Sequence, residues 1–105
     1  MPAKAPKVVF GVGTTMCKAY VDMVKDPTAG RLTDMVVSWA QGYFSARNVA
    51  GRLDPNAKRL SVGGTMSADT LQAMLVDECN EEDFQSGPLF FAVEGLYNKL
   101  QAKGL

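Results

Sequence analysis

The side chains with most scope for chemistry are two cysteines, Cys17 and Cys79, and a run of carboxylates, Asp77, Glu78, Glu81, Glu82 and Asp83. A thiolate can serve as nucleophile or metal ligand, but each use needs companions: a base and an orienting group for catalysis, further ligands for zinc. The chain has no histidine and no third cysteine. Zinc ligation is therefore excluded and cysteine catalysis strongly disfavoured, and the residue most used for acid–base work near neutral pH is missing. Two arrangements remain for the cysteines. They are joined as a disulfide, worth about 4 kcal/mol for so long a loop in the chain-entropy model, or they are separate buried thiols acting as small hydrophobes.

The five carboxylates are the densest charge cluster, and they fall near the end of a predicted helix, where the macrodipole disfavours negative charge. One reading is an acid-sensitive element. Protonation would relieve the local repulsion, while loss of all eleven carboxylate charges would leave the chain strongly cationic and self-repelling. The other is a solvated acidic helix end that aids solubility. Gly11-Val12-Gly13 stands where a dinucleotide-binding loop would begin, but Met16 occupies the place of a third glycine and no βαβ pattern follows. A flexible lead-in to a helix accounts for it better. No cofactor is expected, and the chain reads as a non-enzyme.

The elements that must position these residues are helices. Residues 1–13 read as a flexible or extended segment, with Val8-Val9-Phe10 a short extended stretch, and residues 14–105 as a single helical domain. Thr14 or Thr15 can cap a first helix with Cys17, Tyr20, Val21 and Val24 on one face, ended by Asp26-Pro27. From about Thr28 to Arg47, Leu32, Met35, Val36, Trp39, Ala40, Tyr43 and Phe44 follow helical spacing and mark a central helix. A long connection follows from Asn48 to Met66, punctuated by Gly51, Asp54-Pro55-Asn56 and Gly63-Gly64, with Leu60 and Val62 alternating like a brief strand. Ser67 or Asp69 can cap a third helix carrying Leu71, Met74, Leu75 and Cys79. Ser86-Gly87-Pro88 opens a fourth with Leu89, Ala92, Val93, Leu96 and Leu100 in register, its C-terminal end suited by Lys99 and Lys103. The expected fold class is all-α: a small four-helix domain with a long loop between helices 2 and 3.

At 105 residues the chain can build one core, and 47% hydrophobic with 21% charged residues is the balance of a globular protein rather than a disordered one. Eleven basic and eleven acidic residues cancel, which removes the positive field that nucleic-acid binding requires. No apolar run approaches the length of a membrane span, so no membrane insertion is expected. The start Met1-Pro2-Ala3-Lys4-Ala5-Pro6-Lys7 lacks the apolar core of a secretory leader. A chain whose leader had been exchanged for a methionine would begin the same way, whereas a native Met1 would mean the cytoplasm.

Trp39, Tyr43, Phe44, Phe84, Phe90, Phe91 and Tyr97 form a large aromatic set for this length. Most must be core. Leu89, Phe90 and Phe91 are consecutive, so they cannot all enter one narrow helical stripe. Together with Trp39 and Phe44 they are the candidate apolar interface for a second copy or another protein.

With helices and cysteines placed, the layout resembles the HdeA/HdeB family of small periplasmic acid-stress chaperones. The points of resemblance are Thr15-Met16-Cys17-Lys18-Ala19-Tyr20, Ser38-Trp39-Ala40-Gln41-Gly42-Tyr43, and Thr70-Leu71-Gln72 leading to Cys79 before a last amphipathic helix. The resemblance implies a periplasmic, all-helical protein with one inter-helix disulfide, here Cys17–Cys79, and a homodimer near neutral pH. It further implies dissociation and partial unfolding in acid, exposing apolar surface that holds denatured clients without ATP, with the switch in carboxylates such as those from Asp77 to Asp83. The chain departs from the family in its wider cysteine spacing and its longer Asn48–Met66 connection. The alternative is a small periplasmic immunity or binding protein that recognises one partner, such as a secreted toxin, at neutral pH.

Overall fold

The structure is a computed structural model that describes residues 11–53 and 60–105. The expected extended stretch Val8-Val9-Phe10 and the turn at Asp54-Pro55-Asn56 lie outside the described residues. After a 3-10 turn at Gly11–Thr14 come four helices, α1 (Cys17–Lys25), α2 (Gly30–Arg52), α3 (Ala68–Cys79) and α4 (Leu89–Ala102). The domain is all-α, and a disulfide between Cys17 and Cys79 joins the start of α1 to the end of α3, with Cα atoms 5.2 Å apart.

Helix starts combine local and long-range solutions to the problem of unsatisfied N–H groups. On α3 the answer is local: the Ser67 hydroxyl accepts from the Thr70 N–H at 3.1 Å. On α1 and α4 it is not. Neither Thr14 nor Thr15 caps α1; Met16 holds the cap position with extended backbone, and the Thr14 hydroxyl turns back to donate to the Gly11 carbonyl. The Cys17 N–H instead donates to the Gly87 carbonyl at 2.9 Å, and the Leu89 N–H to the Thr15 carbonyl at 2.7 Å, so the two helix starts cap one another. Pro88, expected inside the first turn of α4, is its extended cap residue. Helix α1 ends where Asp26 folds back on Thr28. Its carboxylate accepts from the Thr28 N–H and hydroxyl, and those bonds hold it below the usual aspartate range.

Helix α2 outruns the expected end at Arg47 and carries Gly51 within its last turn, so the connection to α3 begins only after Arg52. No strand forms at Val62. Its N–H and C=O are satisfied by one side chain, Asn48 of α2, at 3.2 Å each, while Asn48 Oδ1 also accepts from the Tyr97 hydroxyl at 2.8 Å. The core lies among α1, α3, α4 and one face of α2, and includes Cys17, Tyr20, Val36, Ala40, Phe44, Leu75, Cys79, Leu89, Val93 and Tyr97. Leu32 and Met35, expected in that core, are about half exposed, because the buried stripe of α2 runs through Thr33, Val36, Val37, Ala40 and Phe44.

Candidate functional site

Two features could carry function: the acidic end of α3 and the outward face of α2. Glu78 follows Leu71 and Leu75 at helical spacing, so its side chain lies on the buried stripe beside Cys79, and it is only 4% exposed. Gly95 of α4 makes the room. A Cβ there would lie 2.8 Å from the Phe84 ring and 3.7 Å from Glu78 Oε1. The charge is met by Lys99, whose Nζ sits 2.6 Å from Glu78 Oε1 and 2.6 Å from Glu81 Oε1. The Lys99 ammonium donates a directed hydrogen bond to Glu81. Its contact with Glu78 is an ion pair without good hydrogen-bond geometry. The two carboxylates, Glu78 foremost, raise the Lys99 pKa above its ordinary value.

This corrects the picture of five mutually repelling carboxylates. Asp77, Glu82 and Asp83 are exposed and join no ion pair among the described residues. Only Glu78 and Glu81 converge, and they converge on a cation that clamps α3 and the turn after it to α4. The sequence placed Lys99 at the C-terminal end of α4 as a complement to the helix dipole; its bridging role depends on a contact between elements and has no local signal.

The candidate apolar interface also divides. Phe44 and Leu89 are buried at 4% and 0%, packed in the core, and offer no outer surface to a second copy or another protein in the folded chain. Trp39 is half-buried: its ring lies over Gly13, where any Cβ would collide with the indole, and stacks on Tyr43 at 6.0 Å between centroids. Phe90 is half-buried and Phe91 exposed, their ring centroids 4.2 Å apart. Exposed apolar residues that the sequence reading did not single out for the interface include Met16, Leu32, Met35, Val49, Leu53 and Leu105. Met35 lines an open cleft of about 490 Å³ with Val12 and Trp39, edged by Arg31, Asp34 and Ser38.

Two buried tyrosines differ in their surroundings. Tyr97 donates to Asn48, lies edge-on to Phe44 at 5.2 Å, and carries the Arg47 guanidinium 4.1 Å from its ring centroid. Burial raises its pKa, opposed by Arg47. The Tyr20 hydroxyl is buried without a partner among the described residues, and desolvation pushes its pKa up to about 12. Both cysteines are oxidised and buried, so neither supplies a thiol. Among the described residues no group of three His, Cys, Asp or Glu side chains is placed to hold a metal, and no helix is long and apolar enough to cross a membrane. Comparison with known protein families, characterised proteins and solved structures finds no match.

Proposed function

We propose that this chain is a non-catalytic, acid-responsive holdase that works in an oxidising compartment such as the periplasm, dimeric near neutral pH and client-binding in acid. The observation that carries the reading is the clamp of Glu78 and Glu81 on Lys99. A buried carboxylate whose charge is met by one half-exposed lysine holds α4 against α3 only while it is ionised. In strong acid carboxylates as a class protonate, so the attraction to the ammonium is lost while the chain gains net positive charge. Leu75, Leu96 and Leu100, now buried in the core that α3 and α4 help form, are then the apolar surface offered to unfolded clients. The disulfide fits an oxidising compartment and would keep α1 and α3 tethered through the transition. The test is dye binding by Glu78→Gln, which mimics the protonated carboxyl, against the parent between pH 7 and pH 2. The onset is expected at higher pH in the variant; superimposable curves would remove Glu78 from the switch and leave this reading without its support.

A second reading is favoured by a different observation. Among the described residues the cleft at Val12, Met35 and Trp39 is open, as a protein that binds one partner at neutral pH requires. Under that reading Met35→Asp abolishes capture of the partner at pH 7 and acid adds no activity.

A further inference from the structure

The second half of α2 does not close fully against the segment that precedes α3. Between them lies a cavity of about 240 Å³, roughly eight water volumes at about 30 Å³ each. Phe44, Val62, Met66 and Leu71 make its apolar side, and Gln41 and Ser45, one helical turn apart on α2, supply an amide and a hydroxyl. Among the described residues no ionisable side chain lines it.

The cavity exists for reasons that can be named. Gly63 has φ +74, and a Cβ there would approach the Phe44 ring to 2.8 Å, so the chain turns past Phe44 without a side chain to fill the gap. The turn cannot collapse inward freely, because Asn48 fixes both backbone groups of Val62, and the Gly63 N–H donates to the Leu105 carbonyl at 3.1 Å. The space is thus held open by a pinned loop. The polar groups of Asn48 are spent on Val62 and Tyr97, whereas the side chains of Gln41 and Ser45 make no hydrogen bond to another described residue.

We propose that this cavity binds a small uncharged amphiphile, a molecule of about ten heavy atoms with an apolar body and one amide or hydroxyl group. The apolar body would cover Phe44, Val62 and Leu71, and its polar group would pair with Gln41 and Ser45. A charged ligand of the same shape finds no counter-ion among the described lining residues and must shed its hydration without compensation from them. Selection against charge is therefore the signature of the site. It is independent of the acid response.

Benzamide, benzoate and benzamidinium share one shape and carry charges of zero, minus one and plus one. Titrated into the 15N-labelled, non-reduced protein at pH 7, benzamide is expected to shift the amides of Gln41, Ser45, Val62 and Gly63 saturably. The expected dissociation constant is on the order of millimolar, as so small a ligand allows, with both charged analogues about tenfold weaker or more. Ser45→Leu, at an exposed helical position, should fill the mouth and abolish the shifts while leaving the melting temperature within a few degrees. Gln41→Ala should weaken benzamide several-fold without closing the space. Equal affinity for the three probes, shifts elsewhere on the surface, or no saturable shift would overturn the proposal.

Discussion

Replacing Lys99 by methionine isolates the clamp. Methionine keeps an unbranched apolar stem and removes only the ammonium, so what is lost is the charge between Glu78 and Glu81. Breaking a fully buried pair costs about 3–5 kcal/mol, and an exposed pair contributes about 0–1 kcal/mol. Here one end is 4% exposed and the other 46%, which places the cost between those limits at about 2 kcal/mol. In a domain of this size that lowers the melting temperature by about 10 °C. The signs with pH follow from which partner titrates. On the alkaline side, the Lys99 pKa is raised by folding, so its contribution is complete below the ordinary lysine value of about 10.4 and lost as pH rises through the folded value. On the acid side, carboxylates as a class lose their charge and with it their attraction to the ammonium that only the parent carries, so the difference between parent and Lys99→Met should be smaller at pH 3 than at pH 7. Urea melts of the non-reduced proteins at pH 7 and pH 3 measure both numbers. A cost under about 0.5 kcal/mol at pH 7, or one that is undiminished at pH 3, would refute the reasoning.

Asn48→Ala removes the side chain that satisfies Val62 N–H, Val62 C=O and the Tyr97 hydroxyl. Calorimetry should record a loss of about 2–3 kcal/mol, with faster hydrogen exchange at Val62 and Gly63. Tyr20→Phe deletes a buried hydroxyl with no partner among the described residues and should leave stability unchanged or raise it by up to about 1 kcal/mol in equilibrium melts. Because burial pushes the Tyr20 pKa up to about 12 from near 10 when unfolded, its ionisation does not bear on stability below about pH 10 and lowers stability as pH rises from there to about 12; the variant should show a shallower alkaline loss. The disulfide is buried at both sulfur-bearing residues, so an added thiol reductant such as dithiothreitol should reduce it at the rate of opening. Replacing both cysteines by alanine should cost roughly 4 kcal/mol in urea melts.

Much of the scaffold was legible because it obeys local rules. The α4 stripe Leu89, Ala92, Val93, Leu96 and Leu100 is buried at each expected position, Ser67 caps α3, and Phe91, the third member of an apolar triplet, is exposed. The rest depends on contacts between elements. Leu32 and Met35 fit a helical stripe as well as Thr33 and Val37 do, and periodicity cannot tell which of two neighbouring stripes the other helices will cover. The start of α1 took its cap from the backbone before α4, which no local threonine reveals. Gly51 entered α2 because one glycine costs only about 1 kcal/mol in a helix. In the candidate site, the burial of Glu78 was readable from its spacing to Leu71 and Leu75, but the sequence treated it as one of five equivalent carboxylates. Lys99 could be joined to it only once α3 and α4 were packed together.

The measurement that bears most directly on the central claim is light scattering from an acid-denatured client mixed with the non-reduced protein at pH 2–3, with particle size and dye binding followed in parallel. The account predicts suppressed client aggregation, dissociation to monomer and new dye-binding surface, all reversed at pH 7. A compact, dye-silent particle that leaves the client to aggregate in acid would contradict it.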